Sequence, residues 1–234
     1  MTATEELCKC PRLPAARHAT NAANAVSVGL AQMYCNRINY DLEYQHAAVA
    51  IRCFVVVGIL GGSFDPPHEG HLHVASKLMK LLRLDAVWWI VAINPQKLAG
   101  TYSLKERMSM VKSVIARCRG MRVMCADSQY SYKMVRNLQA RYPQTRFVWI
   151  AGSDTLSTMH KWYRWKQFCE SLPIVLLERR GYVYNVLRMP FAVYMEDERV
   201  SDLKFLLKRR RGWSIVRGKI CAASSTQIRN AMPV

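Results

Sequence analysis

His68-Glu69-Gly70-His71 sets two imidazoles three residues apart, and three of the chain's six histidines are His68, His71 and His73. The cluster follows the run Cys53-Phe54-Val55-Val56-Val57-Gly58-Ile59-Leu60 and the pair Gly61-Gly62. That apolar, β-branched run reads as a buried parallel strand. Glycine permits positive φ and close approach of a ligand to the backbone, and Pro66 and Pro67 stiffen the turn by fixing φ. From Gly70 onward Leu72, Ala75, Leu78, Met79 and Leu82 recur at helical spacing. The helix therefore starts just past the top of the strand, where its first N–H groups and positive dipole end suit an anion. His68 and His71 can lie on one side of that N-terminus. Strand, glycine turn, histidine pair and helix start together describe a phosphate site.

The elements that must hold this site alternate strand and helix from Cys53 onward. Strands are expected at 53–60, 87–92, 121–125, 147–151 and 174–177, and helices at 70–83, 103–118 and 131–141, with helical turns over 154–170. Ser103 reads as an N-cap with Glu106 as its capping-box partner, and Pro143 stops the helix before it. Residues 179–211 are less regular. A short edge strand is expected at Phe191–Met195, a basic helix near 200–211, a last strand at Trp213–Val216 and a short helix over Ser224–Ala231. Repeated β-α units with right-handed crossovers give an α/β fold, a doubly wound parallel sheet of Rossmann-like type. Ligands of such sheets bind beyond the carboxyl ends of the strands, and the motifs singled out here fall at those ends.

The chain has 234 residues, 51% of them hydrophobic, enough for one packed α/β domain with an extension. Residues 1–50 are rich in Ala and Asn and poor in strand pattern. They are expected to be an appended, disordered segment ahead of a single domain at 51–234, with Met33 as an alternative start and a transit peptide as a third option. The net charge is +18, and acids and bases balance over residues 1–50, so the excess belongs to the domain. Such a balance favours anionic ligands without naming them. Lys208-Arg209-Arg210-Arg211 is the densest basic run and is expected to be a solvated helix end rather than a nucleic-acid patch. The eight cysteines include no Cys-x-x-Cys pair, which argues against a zinc ribbon and a secreted disulfide framework and favours reduced thiols in the cytoplasm. No apolar run is long enough to span a bilayer.

Gly61-Gly62-Ser63-Phe64-Asp65-Pro66-Pro67-His68-Glu69-Gly70-His71 resembles the signature of the nucleotidyltransferase superfamily with the (His/Thr)-x-Gly-His motif. That resemblance implies transfer of a nucleotide monophosphate from a triphosphate to a phosphate, with pyrophosphate as leaving group. It implies that His68 and His71 contact the triphosphate as hydrogen-bond donors and that Gly61, Gly62, Ser63 and Phe64 line the ATP site. Ala223-Ser224-Ser225-Thr226-Gln227-Ile228-Arg229 is similar to the second signature, where Ser225 and Thr226 would cradle phosphate at a helix start and Arg229 would fork onto its oxygens. Asn94-Pro95-Gln96-Lys97 resembles a turn whose lysine faces phosphate, so Lys97 joins the expected set. Ala223 stands where the pattern has Ile, a packing change rather than a chemical one.

Trp149-Ile150-Ala151-Gly152-Ser153-Asp154-Thr155-Leu156 followed by His160-Lys161-Trp162 resembles the corresponding segment of bacterial nicotinate-nucleotide adenylyltransferases. Asp154 would then meet ribose or adenosine hydroxyls, and Trp162 would pack on the pyridine ring. Trp162 could instead be a core residue, ordinarily the commoner role of a tryptophan, and nearby Trp165 is a candidate for that role. Tyr130-Ser131 resembles a Tyr-Thr pair near the pyridine carboxylate, with Lys133 and Met134 where the family usually has Asp and Thr. The implied substrates are ATP and nicotinate mononucleotide, and Mg²⁺ would arrive on ATP with few or no protein ligands. Adenylyl transfer needs positioning and neutralisation rather than a side-chain nucleophile, and neither a nucleophile elbow nor a Walker A loop is present. Transfer to nicotinamide mononucleotide or phosphopantetheine, and nucleic-acid binding through the basic aromatic stretch Trp162-Tyr163-Arg164-Trp165, stand as alternatives. Monomer and homo-oligomer are both open.

Overall fold

The computed structural model describes residues 55–92, 102–178 and 187–218. The expectations for residues 1–50, Lys97, Ser225, Thr226, Arg229 and the helix at Ser224–Ala231 lie outside them. Strands β1 (Val55–Gly62), β2 (Ala86–Val91), β3 (Met121–Cys125), β4 (Thr145–Gly152), β5 (Ile174–Leu177) and β6 (Trp213–Val216) form one sheet in the order β3-β2-β1-β4-β5-β6. Every pairing is parallel. Sequence order runs outward in both directions from β1, so β1 and β4 flank the topological switch point, where the connections leave a crevice at the carboxyl edge.

The long connections are helices α1 (Glu69–Leu82), α2 (Leu104–Ile115) and α3 (Ser131–Arg141). After β4 come a 3₁₀ turn at Ser153–Thr155, α4 (Leu156–Met159) and α5 (Trp165–Ser171). The last crossover carries α6 (Pro190–Tyr194) and α7 (Leu203–Lys208). In α1, Gly70, Val74, Ala75, Leu78 and Leu82 are buried, the stripe expected of a helix lying on a sheet. Both faces of the sheet are covered. Val56, Leu60, Val87, Trp89, Val148 and Ile150 share a core with α1 and α2, while β1 residues Val57 and Ile59 and β4 residues Phe147 and Trp149 are buried on the alternate positions of their strands. The Ser103–Glu106 capping box forms as expected: Glu106 N donates to Ser103 Oγ at 3.3 Å and Ser103 N donates to Glu106 Oε2 at 2.7 Å.

Two expectations need correction. Phe191–Met195 is not an edge strand: Pro190 to Tyr194 is α6. Proline at the first helical turn loses no hydrogen bond there, and Phe191, Ala192 and Met195 are buried while Val193 and Tyr194 are exposed, a helical rather than alternating pattern. Trp165 is not a core tryptophan. It is half-buried and packs on Tyr194, and the deeply buried tryptophans are Trp89, Trp149 and Trp213.

The basic helix is shorter than expected, and two of the arginines that follow it are paired. α7 ends at Lys208, and Arg209 and Arg211 both pair with Glu198, at 2.5 and 2.7 Å.

Backbone proximity fixes the residue at one position of the switch point. A Cβ on Gly61 would lie 2.3 Å from Trp149 Cη2 and 2.9 Å from Cζ2. Trp149 is buried and packs edge-on against Phe168 and Trp162. Gly61→Ala is expected to lower unfolding stability by about 1–3 kcal/mol, measured by chemical denaturation. An unchanged midpoint would show that the indole has room to move.

Candidate active site

His68 is the N-cap of α1, with extended backbone. Its Nδ1 accepts from Gly70 N at 3.1 Å, and His71 Nδ1 accepts from His68 N at 3.3 Å. The two imidazoles thus perform the reciprocal job usually done by Ser and Glu, and their rings lie 3.8 Å apart. A ring nitrogen that accepts a hydrogen bond carries no proton, so each neutral imidazole holds its proton on Nε2 and is a donor there. The expected donor role and the alternative capping role of His71 are therefore the two ends of one ring.

The turn before the helix is built to hold that pair. Phe64 sits in the left-handed region at φ 47, a conformation costing of order 1 kcal/mol for a bulky residue, and it is buried. Its ring meets His71 edge-on at 5.0 Å and lies 5.2 Å from Trp89. A Cβ on Gly62 would come within 3.2 Å of the Phe64 ring, so the second glycine makes space for it. Asp65 is buried, and its Oδ1 accepts from Tyr102 N at 3.1 Å.

Two cavities open at the carboxyl edge. The larger, about 610 Å³, is lined by Gly61, Gly62, Ser63, Phe64, His68, Gly70 and His71 on one side and by Gly152, Asp154, Thr155, Ser157 and Thr158 on the other. The smaller, about 230 Å³, is lined by Ala92, Ser128, Gln129, Tyr130, Ser131, Trp149, Lys161 and Tyr163. Gly61, Gly62, Ser63 and Trp162 belong to both. Trp162 is half-buried, edge-on to Trp149 at 5.8 Å and to Phe168 at 5.4 Å, so one ring is both part of an aromatic cluster and a wall between cavities.

Among the described residues, none that lines the smaller cavity is acidic. Tyr130 and Tyr163 stack at 4.5 Å, with Lys133 Nζ 5.3 and 5.6 Å from their ring centres and the Arg164 guanidinium 5.4 Å from Tyr163. The nearby Asp127 carboxylate accepts from Asn137 at 3.0 Å. Ser131 opens α3, and its N-cap Tyr130 supplies no side-chain cap. The first turn of α3, whose Ser131 and Met134 line this cavity, thus has no side-chain acceptor from its N-cap.

Of the expected residues, Gly61, Gly62, Ser63, Phe64, His68, His71 and Asp154 gather around the larger cavity, Tyr130 and Ser131 line the smaller, and Trp162 lines both. Gln129, Ser157 and Thr158 are not singled out by the sequence and carry no local signal there, and Tyr163 enters the sequence reading only within the basic aromatic stretch 162–165. The aromatic basic stretch does not form one stacking platform, because Trp162 faces the cavities and Trp165 packs on Tyr194. No group of three His, Cys, Asp or Glu among the described residues is arranged to hold a metal ion. Cys169 is buried, and that burial, with Glu170 beside it, pushes its thiol up to about 12, so it stays protonated and inert at neutral pH.

The cytidylyltransferase-like family model matches residues 59–231. A protein of Rhizobium johnstonii named as a probable nicotinate-nucleotide adenylyltransferase is 36% identical over 185 residues, spanning 75% of this chain and 92% of the relative. One from a Caulobacter strain is 39% identical over 182 residues, spanning 74% and 96%. Among solved structures, Plasmodium falciparum nicotinic acid mononucleotide adenylyltransferase complexed with NaAD superposes with a TM-score of 0.56 at 17% identity, covering 75% of this chain and 82% of that one. That last likeness is one of fold.

The hydrogen-bond directions at the helix cap make a spectroscopic prediction. Long-range ¹H–¹⁵N correlation spectra of the full chain should show both His68 and His71 as Nε2–H tautomers. An Nδ1–H tautomer at either would contradict the reciprocal cap.

Proposed function

The chain belongs to the cytidylyltransferase-like family, and we propose that it acts as a nicotinate-nucleotide adenylyltransferase, passing the adenylyl group of ATP to nicotinate mononucleotide with formation of deamido-NAD and pyrophosphate. The observation that carries this reading is the pair of cavities meeting at Gly61–Ser63 and Trp162, one of them faced by two histidine donors. Two ligands placed there meet at the switch point between β1 and β4.

In the reaction, an oxygen of the mononucleotide phosphate forms a bond to the α-phosphorus of ATP as the bond from that phosphorus to the β-phosphate bridging oxygen breaks. Both electrons of that bond leave with pyrophosphate. No proton need move at a side chain. The protein holds the two phosphates in line and stabilises charge on the nonbridging and leaving oxygens. His68 and His71 donate from Nε2 to triphosphate oxygens, and the positive end of α1 lies behind them. Lys97, Ser225, Thr226 and Arg229 are proposed to complete that site. Asp154, with Thr155, Ser157 and Thr158 beside it in the lining of the larger cavity, would meet the nucleoside.

The smaller cavity suits the mononucleotide. Trp162 offers its face to the pyridine ring, and the amide donors opening α3 beside Tyr130 and Ser131 suit the carboxylate. Lys133 and Arg164 add positive charge at the rim. This is a site for an acid more than for an amide. The described lining of the larger cavity supplies one carboxylate, Asp154, together with hydroxyls and histidines, which fits a divalent ion that arrives on ATP and takes most of its ligands from the triphosphate. Such an ion, Mg²⁺ in this reading, supplies neutralisation of the triphosphate charge. Soluble substrates and a described chain without a helix long and apolar enough to cross a membrane fit a cytoplasmic enzyme.

Pyrophosphate release from ATP and Mg²⁺, with one acceptor at a time, tests the reading. The expected kcat/KM with nicotinate mononucleotide exceeds that with nicotinamide mononucleotide by about tenfold or more, with phosphopantetheine silent. Equal use of acid and amide would remove the carboxylate from the account of the smaller cavity. Turnover with phosphopantetheine alone would overturn the substrate class.

His71→Asn separates the two ends of one ring. The amide oxygen can still accept from His68 N, while the Nε2 donor is lost. The melting temperature should stay within a few degrees of wild type while kcat falls by about 10²–10³-fold. Near-normal turnover would leave His71 with the cap alone.

A further inference from the structure

Arg107, on the first turns of α2, lies outside both cavities yet joins three chain segments around them. Its Nη1 donates to the Ser63 carbonyl at 2.6 Å and to the Ala92 carbonyl at 2.9 Å, and its Nε donates to the Tyr102 carbonyl at 3.2 Å. Ser63 belongs to the turn after β1 and lines both cavities, and Ala92 follows β2 and lines the smaller one. Ala92 N in turn donates to the Gly62 carbonyl at 2.9 Å. Tyr102 is tied back to the same turn, since its N–H donates to Asp65. The segment 62–65 is thus bound to α2 at Ser63 through Arg107 and at Asp65 through Tyr102.

Those bonds meet where the backbone is least content to stay. Phe64, between Ser63 and Asp65, is the bulky residue at φ 47, and its ring is the edge contact of His71. We infer that Arg107 is a positioning residue for the transfer reaction: it clamps the Ser63–Phe64 turn and, through the Phe64 ring, sets the place of His71 against the triphosphate. The inference rests on the adenylyltransferase reading. A planar guanidinium satisfies three carbonyls from different directions with fixed donor geometry. A lysine ammonium in the same place is a flexible point charge and cannot reproduce that fork. Arg107 needs no contact with substrate for this. A shift of about 1 Å in a reacting group is enough to cost orders of magnitude in rate.

The experiment compares Arg107→Met and Arg107→Lys with wild type, alone and combined with His71→Asn, in the full chain with ATP, Mg²⁺ and nicotinate mononucleotide. Wild-type turnover tests the underlying reading, and the variants test the inference. Arg107→Met should lower kcat by about 10–100-fold with a smaller change in the mononucleotide KM, and Arg107→Lys should fall between. Because Arg107 acts through His71, the losses should be strongly less than multiplicative in the double variant, adding little to the loss from His71→Asn. Fully multiplicative losses would overturn the inference, as would an Arg107→Lys variant with wild-type kcat. If Arg107→Met fails to fold, Arg107→Lys with the same cycle decides. A kcat loss in Arg107→Lys that disappears once rates are corrected for the folded fraction would reduce Arg107 to a stabilising residue and overturn the positioning role.

Discussion

The Trp149 indole lies where a side chain on Gly61 would be. Only the missing Cβ lets β1 and β4 stay paired while the indole lies over β1 at its carboxyl end. This exclusion shapes what lies above it. Trp149 gives the smaller cavity its floor, supports Trp162 edge-on, and leaves the next glycine free for the Phe64 ring to close over. The glycine pair thus sets the positions of two aromatic residues, and through them the partition between two binding spaces. Flexibility of the backbone is secondary, since neither Gly61 nor Gly62 has positive φ while Phe64 does.

On the other side of β1, hydrogen-bond direction governs. A helix start has amide donors in want of acceptors, and in α1 they find them at imidazole Nδ1 atoms and at backbone oxygen. An Asp or Ser at position 68 would cap as well. It would present no second donor, because a carboxylate only accepts and a hydroxyl is too short to cap and reach a ligand together. Histidine is the side chain that accepts from the backbone at one edge and donates to an anion at the other. On the proposed reading, folding and triphosphate recognition would rest on the same rings, and the α1 terminus needs no added cation to be electropositive.

Much of this was legible because it is local. Strand and helix alternation follows from hydrophobic period, and the cap at Ser103 follows from residues three apart. The phosphate signature lies in one continuous stretch. Phe191–Met195 misled because an aromatic and β-branched run suits either state, and the deciding residue was Pro190 before it. The gathering of Tyr130 and Tyr163 depends on packing between α3 and the segment before α5, which no short window contains. Arg107 is the extreme case. Its acceptors lie 44, 15 and 5 positions away and are all carbonyls, so no side-chain type at those positions announces them.

The wall shared by the two cavities has a consequence for what happens after the bond forms. In the proposed reaction two separate ligands would occupy neighbouring rooms, each able to leave alone. Joined into a dinucleotide, they would become one molecule anchored on both sides of the Gly61–Ser63 turn, and neither half could depart without the other. The tether raises the effective concentration of each half at its own subsite. Product would therefore compete with both substrates, and its escape, rather than phosphorus chemistry, becomes the natural place for turnover to slow.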